Sequence, residues 1–322
     1  MRSLLISLLL SLSLVAGDSL QSVPSTASVS TLNKQQSPKD YSFGDSIYHS
    51  IMEPADSEAK LIDRVLYTNL AGAALVTVWG VAFWDYFSTA PSLGHEGWFQ
   101  KDTKYGGADK FGHMYSTYLW SLGFSSLYEY WGMDTDRSSI YGPLSAWSFQ
   151  FLMELGDSFS TSQGFSYEDV VANTVGALFY YAREKYPELK KKMDLRLEYL
   201  PDFQGSGDVF TQYNSMKYLF ALKFNGFDSM KDTFLKYGEI ELGYYTRGYQ
   251  DHDNYLPGAQ ERDIFVGIGI NVSQVLASWG WTKTAKVFNY YQMPYTYVPF
   301  SYDFNSESYF KPYARPYHGY TR

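Results

Sequence analysis

The chain has 322 residues, enough for one large domain or two smaller ones with a sizeable core. It contains no cysteine, which excludes thiolate catalysis, cysteine-ligated zinc and lipid attachment at cysteine. The formal net charge of -8 argues against nucleic acid as a partner, because duplex binding depends on Lys and Arg neutralising phosphates. Aromatic residues make up 19% of the chain, a share that suits membrane interfaces, carbohydrate-stacking surfaces or β-structure.

Residues 1–17 predict a secretory signal peptide. Arg2 supplies the positive end, residues 4–15 the apolar core, and Val15-Ala16-Gly17 a cleavage site of small residues. The apolar run is shorter than the ~20 residues that a bilayer requires, so cleavage is favoured over an uncleaved anchor. We therefore expect an exported protein of the cell envelope, periplasmic or membrane-associated. Residues 18–56, which begin with many Ser, Thr and Gln, are predicted to form a flexible leader.

A first helix is predicted from about residue 57 to residue 87. Its stretch of residues 65–84 carries no charge and, at 1.5 Å per residue, would cover about 30 Å, the thickness of a hydrocarbon core. This favours a transmembrane helix. Polar and small residues such as Thr68, Asn69 and Gly72 dilute the hydrophobicity, so a buried central helix of a soluble bundle is the alternative.

Three further helices are predicted at about residues 109–131, 140–155 and 166–186. Turn signals accompany them, among which is Gly142-Pro143. Their uncharged runs are short for independent membrane spans, so we expect them to pack around the first helix or to lie partly in an interface. Together the four helices form a predicted membrane-associated bundle over residues 57–189.

Each of these three helices carries a polar pair at helical spacing in otherwise apolar sequence. The pairs are Asp109 with His113, Glu154 with Asp157, and Asp169 with Asn173. Residues three or four apart lie on the same face of a helix, so the pairs converge if the helices pack together. We call these six residues the polar centre. Ser166-x-x-Asp169 also resembles a capping box with Asp in place of Glu, which gives Asp169 an alternative role at the helix terminus.

Chemistry at the polar centre is one hypothesis. A divalent metal would suit mixed imidazole and carboxylate ligands on facing helices, with a metal-bound water as the nucleophile. The predicted metal ligands are Asp109, His113, Glu154 and Asp157. The predicted catalytic carboxylates are Glu154, Asp157 and Asp169. Such an enzyme would hydrolyse a bond in an envelope lipid or glycan.

Two functions without chemistry compete with it, and they are favoured by the absence of any metal-specific motif. In the first, the polar residues form a hydrogen-bonded network that locks the helix register, with His113 fixed by Glu154. The network residues are Asp109, Lys110, His113 and Asn173. In the second, the aromatic residues bind membrane lipid or envelope glycan, and the carboxylates orient the ligand. A serine triad is disfavoured because the chain has no G-x-S-x-G sequence.

The hydrophobic period changes from helical to two after Lys190-Lys191-Lys192. Antiparallel strands are predicted from this alternation at residues 195–199, 216–224, 239–244 and 264–272. Four or five strands are fewer than the eight of the smallest closed barrel, so residues 190–290 should form a small sheet or partial barrel on the helices. Ser273 is predicted to cap a short helix. Residues 291–322, rich in Tyr and Pro, are predicted to form an irregular tail.

The strings around the polar pairs resemble a known family. They are Gly107-Ala108-Asp109-Lys110-Phe111-Gly112-His113, Glu154-Leu155-Gly156-Asp157 and residues 164–177. These resemble the YfiM-type family of predicted periplasmic lipoproteins, whose function is unknown. They are more distantly similar to VanZ-like membrane proteins, which share the order D-K-x-x-H, E, D-x-x-x-N-x-x-G. The resemblance implies an envelope protein without naming an activity, and the missing cysteine rules out the lipoprotein anchor that the family name implies.

The sequence therefore predicts an α+β envelope protein, with a helical bundle that holds the polar centre, a small antiparallel sheet and an aromatic tail. A structural or lipid- and glycan-handling role is favoured, with the metal-dependent hydrolase as the alternative. His95 and Glu96 are predicted to be an exposed loop pair rather than part of a metal site. The sequence does not show whether the protein has a protein partner.

Overall fold

The computed structural model describes residues 52–94, 96–200, 211–249 and 259–310. Within these residues the chain has the predicted α+β fold, in which long helices precede an open antiparallel sheet of six strands. The predicted signal peptide, most of the predicted leader, His95 and the end of the predicted tail lie outside the described residues.

Four long helices form the first half of the fold. They are α1 (Glu58–Phe83), α2 (Ala108–Tyr130), α3 (Thr135–Asp157) and α4 (Tyr167–Lys185), followed by the short α5 (Pro187–Lys192). Side-chain oxygens of Ser57, Asp134 and Ser166 accept backbone N–H groups at the starts of α1, α3 and α4. The four predicted helices are thus confirmed, with ends that the capping residues set.

The predicted turn at Gly142-Pro143 is wrong, because both residues lie inside α3. Asp134 starts this helix before the two turn-forming residues are reached, and its side chain accepts from the amide of Arg137 at 2.9 Å. Gly142 packs directly on α2, since an added Cβ would lie 2.0 Å from Ser125 Oγ. Tertiary packing of the helix pair therefore outweighs the local tendency of Gly and Pro to end a helix.

Helix α1 packs against the other helices along a narrow strip and leaves most of its surface exposed. Leu61 and Val65 contribute to a core with Phe124 and Tyr128 of α2. Only 11% of its most apolar 18-residue window is buried, so the alternative of a buried central helix is wrong. In the described part of the chain, α1 is the one helix long and apolar enough to cross a membrane, and the transmembrane interpretation stays a prediction.

The sheet is a meander in which each strand pairs antiparallel with the next. Its strands are β1 (Met193–Tyr199), β2 (Met216–Lys223), β3 (Gly238–Arg247), β4 (Glu261–Ile270), β5 (Tyr297–Asp303) and β6 (Ser308–Phe310). The four predicted strands are confirmed. The prediction of an irregular tail is wrong at β5 and β6. Pro299 is compatible with β5 because β6 pairs only with residues 301–303, so Pro299 needs no N–H on that side.

Two short helices, α6 (Val272–Ser278) and α7 (Thr282–Val287), stand where one was predicted. The residue that caps α6 is Asn271 rather than Ser273, and its side chain accepts from the Gln274 amide at 3.0 Å. Asn is among the best N-cap residues, and Asn271 directly follows the last residue of β4. The sheet therefore passes into a helix without an intervening loop.

Aromatic rings hold the sheet against the helices. Phe111 of α2 stacks on Tyr218 and Tyr244, with ring centroids 6.1 and 5.3 Å apart, and Phe179 of α4 meets Phe220 edge-on. The Tyr244 hydroxyl donates to the carbonyl of Gly106, just before α2 begins. The sheet thus supports the start of α2, where the first polar pair lies.

Close approach of α4 to α2 depends on Gly176, because an added Cβ would lie 2.1 Å from the Met114 carbonyl oxygen. We predict that Gly176→Ala lowers the free energy of unfolding by about 1–3 kcal/mol, the usual cost of overpacking. Gly123→Ala in α2 is the matched control, since its Cβ would meet nothing within 4 Å. The control should stabilise the helix by up to ~1 kcal/mol. Equal effects of both variants in urea denaturation would contradict this account.

Candidate functional site

The site begins at the N-terminus of α2. Gly106 and Gly107 precede this helix with φ angles of 65° and 87°, in the left-handed region that favours glycine. A Cβ on Gly107 would also lie 2.2 Å from the Phe99 ring. This tight turn puts Asp109 and Lys110 in the first turn of α2, where both are buried.

A buried ammonium group surrounded by carboxylates forms one half of the site. The Lys110 Nζ lies 2.6 Å from Glu96 Oε2, 2.7 Å from Asp109 Oδ2 and 2.8 Å from Asp169 Oδ1. Burial alone would lower the pKa of Lys110, but the three negative charges outweigh it and raise that pKa above its usual value. Lys110 is therefore a fixed cation that joins α2, α4 and the loop before α2. We call these four residues the Lys110 cluster.

Glu96 belongs to this cluster although it was predicted to be exposed, so that prediction is wrong. Its loop is held to the loop before α4, where the Gly94 amide donates to the Phe165 carbonyl at 2.9 Å and the Phe165 amide donates to Ser92 at 3.0 Å. Burial and the charge of Asp169 raise the pKa of Glu96 to about 7. An irregular loop has no periodicity, so the sequence offered no signal beyond closeness to Asp109.

The second half of the site is a group of three ligand-type side chains from three helices. The group consists of His113, Glu154 and Asp169, whose candidate ligand atoms lie within 4.8 Å of one another. His113 Nδ1 is 3.8 Å from Glu154 Oε1, and Nε2 is 3.7 Å from Asp169 Oδ1. Both distances exceed a hydrogen bond, and Nδ1 is buried without a hydrogen-bond partner in the structure. We call this group the His113 triad.

Negative charge accumulates around the triad. Burial, together with the charges of Asp169 and Asp157, raises the pKa of Glu154 to about 9. Burial would also raise the pKa of Asp169, but His113 and Lys110 outweigh it and hold that pKa below its usual value. The Ser166 amide donates to Glu154 at the long distance of 3.4 Å. In the triad, Lys110 thus stabilises the charged form of Asp169, whereas burial disfavours the charged form of Glu154.

The capping-box interpretation of Asp169 is half right. The Ser166 hydroxyl accepts from the Asp169 amide at 3.2 Å, as an N-cap should. The reciprocal bond is absent from this helix start, because the Ser166 amide points to Glu154 and the Asp169 carboxylate to Lys110. Asp169 therefore lies in the first turn of α4 and also joins both halves of the site.

Asp157 and Asn173 lie beside the triad. Burial raises the pKa of Asp157 to about 6, against the lowering effects of Tyr86 and His113. Asn173 Oδ1 accepts from the Thr117 hydroxyl at 2.8 Å, while its Nδ2 is buried without a partner in the structure. All three polar pairs are thus brought to one region of the bundle.

The grouping differs from the predicted metal ligand set of Asp109, His113, Glu154 and Asp157. In the described structure, His113 and Glu154 share Asp169 as their third ligand-type neighbour, whereas Asp109 lies with Glu96 and Lys110. The reason is Lys110, whose side chain follows Asp109 directly and draws that carboxylate to itself. The sequence contained this residue, but its role depended on the fold.

An open groove reaches the site at Glu96. It has a volume of about 540 Å³ and is lined mainly by polar residues. The lining residues are Gly94, Glu96, Gly97, Gln100, Asp102, Thr103, Lys104, Ser162 and Gln163. Amide, hydroxyl, carboxylate and ammonium groups of this kind recognise polar ligands such as sugars and phosphorylated headgroups.

Comparison with known proteins gives one family. Residues 95–185, which include Glu96 and helices α2 to α4, match the family described as "Predicted periplasmic lipoprotein (DUF2279)". This confirms the resemblance to an uncharacterised periplasmic lipoprotein family, and it agrees with an exported protein of the cell envelope. Neither the curated proteins nor the solved structures contain a match. The more distant similarity to VanZ-like proteins stays a prediction.

Lys110→Met should unfold the site, because it removes the cation from the buried carboxylates of Asp109 and Asp169 and the half-buried one of Glu96. Loss of one partner from a buried ion pair typically costs about 3–5 kcal/mol, measured as the free energy of unfolding. Lys191→Met is the matched control, since that side chain is 62% exposed, and it should have no measurable effect. Adding Asp109→Asn to Lys110→Met should recover part of the loss. If the double variant is no more stable than Lys110→Met, charge compensation is not what Lys110 supplies.

Proposed function

We propose that this exported cell-envelope protein binds a divalent metal at the His113 triad and uses it to hydrolyse a bond in an envelope lipid or glycan. The observation that supports this most is the buried His113 Nδ1, which has no hydrogen-bond partner among the described residues and lies 3.8 Å from Glu154 Oε1. A satisfied structural network would give this nitrogen a partner at hydrogen-bond distance. A metal ion between these two atoms would instead occupy the gap and be coordinated by both of them.

Electrostatics supports the same choice. Glu154 and Asp169 are 3% and 2% exposed, and burial of uncompensated carboxylates is costly. Lys110 compensates Asp169 only in part, because the same ammonium group also contacts Glu96 and Asp109. A divalent cation at the triad would neutralise both carboxylates, as buried charges in proteins require.

The Lys110 cluster is a poorer metal site although it contains three carboxylates. All three of its carboxylates have an oxygen 2.6–2.8 Å from the ammonium group, whereas in the His113 triad only Asp169 does. A second cation among the same oxygens would be repelled by that charge at short range. We therefore assign the Lys110 cluster the structural role of joining two helices and the loop, and the His113 triad the metal.

The donor set determines the chemistry. One imidazole and two carboxylates suit Zn, Mn or Fe and leave coordination positions for water. The metal would supply a bound water of lowered pKa, which is a nucleophile at neutral pH. Asp157 would accept the proton of that water and return it to the leaving oxygen as the bond breaks, and Glu154 and Asp169 would hold the metal with His113. A polar headgroup or sugar would enter along the groove at Glu96.

Metal binding is tested by thermal unfolding of the mature protein with added Zn, Mn or Mg. A metal that binds only the folded state stabilises it by RT ln(1 + [L]/Kd), about 2.7 kcal/mol at a hundred times Kd. Glu154→Gln should abolish this rise and the bound metal measured by mass spectrometry. Glu188→Gln, at a 65% exposed side chain, is the control and should behave as the wild type. Absence of a rise in the wild type would refute the metal site.

Hydrolysis is tested separately, by incubating the metal-loaded protein with extracted envelope lipids and glycans. Products identified by mass spectrometry should be formed by the wild type and by Glu188→Gln, and should be lost in His113→Ala and Asp157→Asn. Asp157→Asn should keep the metal, because Asp157 is assigned to the proton transfer. Metal binding without any product would leave the metal site standing and refute the hydrolase.

A further inference from the structure

The sheet has its charged residues on the inside and its apolar residues on the outside. One face carries acidic and basic side chains on β1 and β3 to β5 that are at most 3% exposed. They are Asp194, Arg196, Glu198, Glu239, Glu241, Asp263 and Asp303. Arg196 binds both oxygens of Glu239, at 2.7 and 2.9 Å, and also Asp194 at 3.1 Å. These ion pairs fix which face of β1 and of β3 points inward.

The opposite face of β3, β4 and β5 is apolar and exposed. Cross-strand neighbours repeat the pattern, since Ile240 pairs with Ile268 and Ile268 with Val298, while Leu242 pairs with Val266 and Val266 with Phe300. The exposed fractions of Ile268 and Phe300 are 61% and 58%. The other exposed members are Ile240, Leu242, Ile264, Val266, Ile270 and Val298. We call these eight residues the outer sheet face.

The outer sheet face lies on the same side of the sheet as residues that the helices cover. On β2 the same side of the sheet packs Tyr218 and Phe220 against α2 and α4. The helices cover this side of the sheet as far as Tyr244 of β3, on which Phe111 stacks, whereas the apolar pattern runs on to β5. An antiparallel sheet in water turns its polar side outward, which is the reverse of this arrangement. A polar interior with an apolar outer band is the pattern of sheets that face lipid.

Exposed aromatic side chains lie at both ends of these strands. Beyond Ile270, at the start of β3 and after α6, lie the exposed rings of Phe234, Trp279 and Trp281. Tyr302 and the 87% exposed Tyr309 lie at the other end, where β5 pairs with β6. The stretch from Ile264 to Ile270 covers about 20 Å at ~3.4 Å per residue. Aromatic rims around an apolar band are typical of the two interfaces of a bilayer.

We infer that the outer sheet face contacts the hydrocarbon of a lipid bilayer. This surface is distinct from α1 and from the site at His113, and it does not depend on the proposed hydrolysis. Because the charged side chains lie on the opposite face of the sheet, their ion pairs do not contact lipid. The aromatic rims set the depth of the strands in the bilayer. Lipid fits better than a second copy of the chain, because the apolar band is bounded at both ends by rings suited to headgroups.

Fluorescent labels at single cysteines test the inference, and the chain has no cysteine of its own to interfere. Ile268→Cys and Phe300→Cys carry the label on the outer sheet face. Asp228→Cys, at a 94% exposed side chain, is the control. The mature protein is placed in vesicles of phosphatidylethanolamine and phosphatidylglycerol, with or without a nitroxide on the acyl chain. Labels at 268 and 300 should lose most of their emission to the nitroxide lipid and resist aqueous iodide, whereas the label at 228 should do the opposite.

Two results would overturn the inference. Iodide quenching at 268 and 300 as strong as at 228, in vesicles that hold the protein, would mean that α1 or another segment carries the membrane contact. Protection from iodide without nitroxide quenching, accompanied by disulfide cross-linking between two unlabelled copies of the Ile268→Cys variant, would mean that a second copy covers the face. Circular dichroism of each labelled variant should match that of the wild type. A variant that differs is replaced by Val266→Cys, which lies on the same face.

Discussion

The buried ammonium group of Lys110 is the interaction on which the arrangement of the site depends. It draws Glu96 from the loop, Asp109 from its own helix and Asp169 from α4 to within 2.8 Å of one atom. Because Asp169 is also one of the three residues of the His113 triad, the cation fixes one side of that triad as well. The Asp169 carboxylate thus belongs both to the ion pairs that hold the site together and to the proposed metal site.

The convergence of the polar pairs could be predicted from sequence because its signal is local. Asp109 and His113, or Asp169 and Asn173, share a helix face whatever the rest of the fold does. Strands such as β4 could be predicted equally well, since their hydrophobic residues recur at every second position. Glu96 could not be found this way. Its position depends on hydrogen bonds between two loops about 70 residues apart in sequence, which carry no period.

Predictions made from amino-acid composition were wrong where helix packing or strand pairing determined the structure. Gly142 and Pro143 suggested a turn, yet the contact of Gly142 with Ser125 keeps them inside a helix. The Tyr- and Pro-rich end suggested an irregular tail, yet Val298 and Phe300 alternate with Pro299 and Ser301 and complete the outer sheet face. The grouping of site residues was similarly hidden, because the preference of Asp109 for Lys110 over His113 appears only when α4 is in place.

The meander order of the sheet has a kinetic consequence. Each strand pairs with its neighbour in sequence, so the longest connection that strand pairing must close is the 26 residues between β4 and β5. Such local connectivity favours rapid folding. Rapid folding matters for a chain whose strands combine Ile and Val on one side with charged groups on the other. A half-formed sheet would expose unpaired strand edges that promote aggregation. The order of the strands therefore shortens the interval in which a newly exported chain can aggregate.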